Sequence, residues 1–144
     1  DQAAGEDRYR GFCDAVQEAG HGELADHYTI AEFTVASGYE KAGELMKKYD
    51  NLDGLICATD SMALGAVRYL RGHGIKVPEQ ILVAGHGDSE IARMTIPPLI
   101  TVHYSYEKSG EIAVQMLMEQ LGRGESAMKE VKLGCHIVDP GAAS

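Results

Sequence analysis

Polar and aromatic residues follow several short apolar runs in this sequence, at positions suited to binding a small polar ligand. Thr59 and Asp60 come directly after the apolar run 54–58, and the glycine-rich stretch 85–89, which contains Asp88, follows the run 81–84. Ligands of parallel sheets bind beyond the carboxyl ends of the strands, where such loops converge. Carboxylates and hydroxyls hydrogen-bond to sugar hydroxyls, and aromatic faces pack on the C–H faces of a sugar ring. Aromatic residues at the ends of other predicted strands are Phe33, Tyr104 and Tyr106.

Catalysis, metal binding and cofactor binding are not favoured. His86, Asp88 and Ser89 together suggest acid–base or nucleophilic chemistry, but no third orienting group is placed near them by the sequence. The six histidines lack the paired spacing of metal ligands on one helix. Gly85-x-Gly87 lacks the third glycine of a dinucleotide-binding turn. We therefore predict no enzyme, no metal site and no cofactor.

The best-defined elements form a βαβ unit. The unbroken apolar run 54–58 predicts a parallel strand covered on both faces, and 81–84 predicts a second one. Between them lies a helix that Thr59, Asp60 and Ser61 could cap. For Asp60, capping is the favoured role, and ligand contact is compatible with it. Two such strands joined by one helix predict a parallel pair with a crossover connection.

Flanking segments extend this pattern. Helices are predicted at 8–19, 42–49 and 107–121, and strands at 27–33, 99–103 and 131–138. The apolar residues expected to face inward from the last helix are Ile112, Ala113, Met116, Leu117 and Leu121. The predicted fold class is α/β, with a parallel doubly wound sheet.

The composition of the sequence indicates which kinds of partner and which cell compartment the protein is suited to. The 144 residues suit one domain, and their formal charge of −9 disfavours contact with nucleic acid. The three cysteines are odd in number and widely spaced, as expected of reduced thiols in the cytoplasm. No apolar stretch approaches the roughly 20 residues of a membrane span, and the acidic start is unlike a signal peptide.

Three motifs in order resemble those of LacI/GalR transcriptional regulators. They are residues 54–66 (GLICATDSMALGA), 74–78 (GIKVP) and 97–102 (PPLITV). The resemblance begins near Arg8 and continues to about Gly122. It implies a periplasmic-binding-protein-like fold of type I, in which two lobes enclose an effector cleft. Residues 1–144 would be an incomplete effector-binding domain, mainly its C-terminal lobe. The helix at 105–122 would belong with the N-terminal lobe, and the DNA-binding headpiece would lie outside this sequence.

The resemblance also assigns roles to site residues. Arg8, three residues before Gly11, matches the family arginine that hydrogen-bonds effector hydroxyls, although its place on a polar helix face is equally typical of a solvated arginine. Phe33 matches the cleft aromatic and Thr59 the polar residue before the helix. Tyr104 and Tyr106 match hinge-side residues that line the cleft. Without the resemblance, the aromatic residues would be expected in core packing.

One departure from the family pattern concerns the loop after the second apolar run. The family commonly has an aromatic followed by two acids, whereas this chain has His86, Gly87 and Asp88. Gly87 thus stands where the ligand-contacting acid is usually found. The terminus 137–141 also lacks an arginine often found there.

The function implied is a cytoplasmic, homodimeric regulator that binds a sugar or related polar effector and thereby controls operator binding through its headpiece. The alternative is a periplasmic sugar receptor of a transporter, which shares the fold and a motif of the 59–65 type. The cysteines and the 97–102 motif disfavour that alternative.

Overall fold

The computed structural model describes residues 2–123 and 129–141, in which helices and strands alternate. The elements are α1 (Gln2–Glu18), a 3-10 helix (Gly22–Asp26), α2 (Val35–Lys48), β1 (Gly54–Ile56), α3 (Asp60–Gly72), β2 (Leu82–Ala84), α4 (Glu90–Met94), β3 (Thr101–Tyr104), α5 (Tyr106–Arg123) and β4 (Cys135–Val138). All the predicted helices and strands have a counterpart here except the strand at 27–33. The short helix α4 was not predicted.

The strands form a parallel arrangement with one antiparallel edge. β1 pairs with β2 in parallel, with Leu55 opposite Val83. A parallel bridge joins Ala84 to Ile100, where the Gly85 N–H donates to the Ile100 carbonyl at 2.9 Å, so β3 continues this order. β4 runs antiparallel to β3. The predicted α/β class with a parallel sheet is confirmed.

The core lies between α3 and one face of this sheet. Ala63, Ala66, Val67 and Leu70 are buried on α3 at the spacing of a single helical face. Leu55 and Val83 are buried beneath them. Burying a side chain the size of leucine or valine contributes roughly 1.5–3 kcal/mol. This face therefore fixes the positions of the loops that follow β1 and β2.

The prediction that the run 54–58 is covered on both faces is wrong. In β1 only Leu55 is buried, and Ile56 is 65% exposed. Leu82 at the start of β2 is also exposed. The helix α3 covers one face and α2 packs against α3, and no element of the described ranges buries Ile56 and Leu82 on the other face.

The predicted strand at 27–33 is also wrong. Residues 27–32 have no regular structure, and Ile30 is exposed. A strand needs a neighbour that satisfies its backbone N–H and C=O groups. Among the described residues, no strand pairs with this segment.

The helix α5 confirms the prediction at 107–121, but its apolar face is largely uncovered. Ile112 and Met116 are partly buried, as expected of inward-facing residues. Leu117 and Leu121 are exposed, as is Ala113, so the inward orientation predicted for these three residues is wrong. Few contacts cover this side of α5 within the part of the chain that the structure describes.

Candidate ligand-binding site

Two helices of the core begin at the same rim of the sheet. Thr34 caps α2 by accepting a hydrogen bond from the Ser37 N–H at 3.1 Å. Thr59 caps α3 by accepting from the Met62 N–H at 3.3 Å. The capping role that was predicted mainly for Asp60 therefore falls to Thr59. Each cap satisfies an N–H group that has no partner within its helix.

Glycines bring the first turns of α2 and α3 into contact. A Cβ on Gly38 would meet the backbone of Met62, and a Cβ on Gly65 would meet the Val35 carbonyl. The two backbones can approach this closely because neither glycine carries a side chain. Phe33, two residues before α2, consequently lies at the rim where Thr59 begins α3.

Asp60 ties this rim to the loop after β2 and to β3. Its side chain is 2% exposed. Oδ2 accepts from both the N–H and the hydroxyl of Ser89 at 2.8 Å, and Oδ1 accepts from the Thr101 hydroxyl at 2.6 Å. Buried carboxylates are tolerated when they are hydrogen-bonded in this way. Asp60 thus links three segments that are far apart in the sequence.

Asp88 forms a second cluster beside the first. Arg93 donates to both of its oxygens, at 3.0 and 2.7 Å, and the ring Nδ1 of His103 lies 2.8 Å from Oδ2. The Asp88 N–H donates to the Thr101 hydroxyl at 3.1 Å, so Thr101 joins the two clusters. The side chain of Asp88 is 8% exposed. Hydrogen bonds from Arg93, reinforced by His103, hold the pKa of Asp88 below its usual range, although burial acts in the opposite direction.

Gly87 and Tyr106 connect α5 to this loop. The Tyr106 hydroxyl donates to the Gly87 carbonyl at 3.0 Å, and the Gly87 N–H donates to the Val102 carbonyl at 3.0 Å. Gly87 has a φ of +128°, which residues with a side chain rarely adopt. The ring of Tyr104 lies 6.0 Å from that of Tyr106, edge to face. Both tyrosines therefore stand near the loop after β2.

Arg8 and Phe33 form a separate pair at the rim. The guanidinium carbon of Arg8 lies 5.9 Å from the centre of the Phe33 ring, within the range of a cation–π contact. Phe33 is partly buried against the core. Of the seven predicted site residues, the structure links Asp60, Asp88, Tyr104 and Tyr106 through one network, with Thr59 adjoining it, and links Arg8 to Phe33.

Four residues of this network were not predicted as site residues. Ser89, Arg93, Thr101 and His103 supply the donors to the two aspartates. Thr101 and His103 are two residues apart on β3, so their side chains lie on the same face of the strand. This spacing is the one feature of the sequence that could have indicated that they belong to the same site. Whether the side chains on that face of β3 contact Asp60 or Asp88 depends on how β3 is aligned with the loop after β2.

The contacts of His86 and Ser89 do not form a catalytic pair. The His86 Nδ1 lies 3.0 Å from the Cys57 carbonyl, whereas the Ser89 hydroxyl donates to Asp60. Within residues 2–123 and 129–141, no group of three or more His, Cys, Asp or Glu side chains is arranged to hold a metal ion. Nor does this part of the chain contain a helix long and apolar enough to cross a membrane.

Comparison with known proteins identifies the class to which this fold and site belong. The family model for the periplasmic binding protein-like domain matches residues 1–140, so the chain belongs to that family. Its relatives include a transcriptional regulator of the HTH type from Streptomyces limosus, named for the aml 5′ region. That protein is 36% identical, with 83% of this chain and 36% of the relative covered.

Solved structures agree with this assignment. The cellobiose complex of the transcriptional regulator CelR matches 94% of this chain and 41% of its own, with a TM-score of 0.82 and 27% identity. The lac repressor dimer bound to operator and the anti-inducer ONPF matches 76% of this chain and 38% of its own, with a TM-score of 0.68 and 28% identity. The resemblance to LacI/GalR regulators is confirmed. The chain spans about two fifths of the length of these relatives.

Proposed function

We propose that this chain acts as the effector-binding part of a LacI-type transcriptional regulator, and that its effector is a carbohydrate or a related polar molecule. The observation that supports the proposal is that Phe33, with Arg8 over its ring, precedes α2 where α2 meets the first turn of α3, which Thr59 caps. The loop around Asp88 is tied to the start of the same helix α3 through Asp60, and we propose that the two groups line one cleft. A polyol can bind here in three ways. Its hydroxyls can accept hydrogen bonds from an arginine guanidinium and bond to backbone groups of a turn, and its C–H groups can pack on an aromatic ring. Arg8, Phe33, Thr59 and Tyr106 would contact the effector directly.

The proposed mechanism is a shift between two orientations of the lobes. We assign α5, within residues 105–122, to the N-terminal lobe, and its exposed Leu117 and Leu121 support this assignment. The Tyr106–Gly87 hydrogen bond then joins α5 to the loop at the effector site. An effector that binds one orientation more tightly raises the population of that orientation. The change would reach operator DNA through an N-terminal headpiece in the full-length protein.

The regulator would act in the cytoplasm as a homodimer. Met94 and Ile96, in the segment after Asp88, expose large apolar side chains that a second copy could cover. Sedimentation of the full-length protein tests this directly, because Ile96→Lys would weaken the dimer if this segment forms the interface. If the substitution leaves the sedimentation profile unchanged, this segment does not form the dimer interface.

Neither the transporter receptor nor an enzyme is favoured. The relatives are named as transcriptional regulators, and the motifs that they share with this chain cover most of its length. Nucleophilic catalysis by Ser89 would need a base within hydrogen-bond reach of its hydroxyl, whereas Ser89 donates to Asp60 and His86 lies at the Cys57 carbonyl.

The experiment is a ligand screen of the full-length protein followed by an operator-binding assay. A true effector raises the melting temperature in proportion to the logarithm of its concentration and changes the affinity for operator DNA. The proposal fails if no carbohydrate stabilises the protein, or if a stabilising carbohydrate leaves operator affinity unchanged.

A further inference from the structure

Two histidines face each other across the strands β3 and β4. His103 on β3 is directly opposite His136 on β4 in the antiparallel register, and the centres of the two rings lie 4.8 Å apart. Residues opposite each other in an antiparallel pair project their side chains from the same face of the sheet. The spacing of histidines along the chain does not reveal this pair, because the two residues are far apart in the sequence and meet only through strand pairing.

Asp88 fixes the orientation and the proton of the His103 ring. The Nδ1 of His103 lies 2.8 Å from Oδ2 of Asp88, and hydrogen bonds from Arg93 and His103 hold the pKa of Asp88 below its usual range. An ionised carboxylate only accepts hydrogen bonds, so Nδ1 carries the ring proton and Nε2 of the neutral ring keeps its lone pair. Histidines that bind metal ions through one nitrogen usually donate the other ring N–H to a carboxylate or a carbonyl.

The second imidazole has no competing partner. The side chain of His136 is exposed, and none of the side chains described in the ranges 4–121 and 129–141 forms a hydrogen bond or an ion pair with its ring. The side chain of His103 is 32% exposed, so ions in solution reach the pair. Two imidazoles bound to one tetrahedral zinc ion have ring centres about 5 Å apart, close to the separation of this pair. An exposed side chain such as His136 can turn between rotamers to aim a nitrogen at the ion.

We propose that His103 and His136 together bind one divalent transition-metal ion that prefers imidazole ligands, Zn²⁺ foremost, and that Asp88 orients His103 for this role. Imidazole suits Zn²⁺, Cu²⁺ and Ni²⁺, whereas Mg²⁺ and Ca²⁺ prefer oxygen ligands. Water would fill the remaining coordination positions, because no third His, Cys, Asp or Glu side chain of the described ranges completes a group that could hold a metal ion. This site does not depend on the effector-binding function proposed above.

The surroundings of the pair favour a cation held by nitrogen alone. Cys135, a good zinc ligand, lies opposite Tyr104, and successive side chains of a strand point to opposite faces, so its thiol is on the other face from His136. The positive charge of Arg93 is paired with both oxygens of Asp88. The formal charge of −9 attracts cations to the protein as a whole.

A metal ion at this position would crosslink β4 to the loop that follows β2. His136 belongs to β4 (Cys135–Val138), whereas His103 is hydrogen-bonded to Asp88 in that loop. The two histidines come together only when β3 and β4 are paired, so the ion would bind the folded chain in preference to the unfolded chain. Zinc should therefore raise the melting temperature as its concentration rises.

The test is a calorimetric titration of ZnCl₂ into the untagged full-length protein, with MgCl₂ as the probe for attraction by charge alone. We expect Zn²⁺ to bind and Mg²⁺ not to compete with it. His136→Ala removes one ligand at an exposed position and should weaken Zn²⁺ binding by about tenfold or more, since loss of even an orienting partner of a ligand costs about 10–100-fold. Cys135→Ser is the matched control on the same strand and should leave the affinity for Zn²⁺ unchanged.

His103→Ala should weaken Zn²⁺ binding as His136→Ala does, and the double variant should lose little more than either single variant, because one histidine alone does not chelate. His103→Ala also removes a partner of Asp88, so His136→Ala decides the matter if the other variant does not fold. Equal affinities for Zn²⁺ in His136→Ala and the parent would overturn the inference. So would a parent protein that binds no Zn²⁺, competition by Mg²⁺, or loss of binding in Cys135→Ser. No effector enters this experiment, so each of these failures leaves the proposed regulator function standing.

Discussion

Thr101 is the residue whose replacement tests the architecture of the rim most sharply, because its hydroxyl joins both aspartate clusters. It is 2% exposed, donates to Asp60 at 2.6 Å and accepts from the Asp88 N–H at 3.1 Å. Thr101→Val keeps the shape and removes both hydrogen bonds. Losing a hydrogen bond to a charged group costs about 1.5–3 kcal/mol, and losing the backbone bond adds about 1 kcal/mol. We expect the free energy of unfolding to fall by about 3 kcal/mol.

For a domain of this size a loss of about 3 kcal/mol lowers the melting temperature by roughly 10 °C. Urea unfolding followed by circular dichroism measures the free energy directly, and an unchanged slope indicates that the same surface is exposed. Thr95→Val is the matched control, because Thr95 is also buried but its hydroxyl donates only to the Ile91 carbonyl. The control should lose about 1 kcal/mol. If Thr101→Val costs no more than Thr95→Val, the clusters are not joined as described.

Three other predictions follow from close approach, ionisation and burial. Gly65→Ala should destabilise the protein by about 2 kcal/mol or more, since a Cβ meets the Val35 backbone, whereas Gly72→Ala, with open space around it, should be neutral or slightly stabilising in the same urea assay. Because the pKa of Asp88 is lowered in the fold, its contribution is present above about pH 4 and lost in more acidic solution. Asp88→Asn should therefore be less stable than the parent at pH 7, and the gap should close as the pH falls from about 4 to 2; a gap independent of pH would refute the ion pair. Burial raises the pKa of Cys57 to about 12, so this thiol should resist alkylation at pH 8 until the protein is unfolded, whereas the exposed Cys135 should react at once.

The elements that could be predicted from the sequence are those whose apolar residues recur at a regular spacing and whose ends carry a capping or turn residue. The helix after Thr59 has both, and the runs at 54–58 and 81–84 have turns on either side. The segment 27–33 has the alternation of a strand, but whether it becomes one depends on a partner strand, which periodicity does not reveal. The exposure of Ile56 has the same origin, because burial on the second face depends on what packs there.

The site was predictable to the extent that strand ends mark it. Asp60 and Asp88 follow strands, so the rule for parallel sheets brings them to one rim. Their partners could not be predicted, since Arg93 comes from an unpredicted helix and Thr101 reaches Asp60 only in one register of β3. Asp60 was predicted to cap a helix or contact a ligand, but its carboxylate oxygens instead accept hydrogen bonds from Ser89 and Thr101 within the protein.

The central claim is that Arg8, held over Phe33 at the rim, binds the effector. Its most direct test is the affinity of the full-length protein for the tightest-binding carbohydrate, measured by calorimetry in Arg8→Ala and in Arg10→Ala. The account predicts a loss of about tenfold to a hundredfold in Arg8→Ala, as expected for the loss of charge-assisted hydrogen bonds, and a change below about twofold in Arg10→Ala. Equal affinities in the two variants would contradict it.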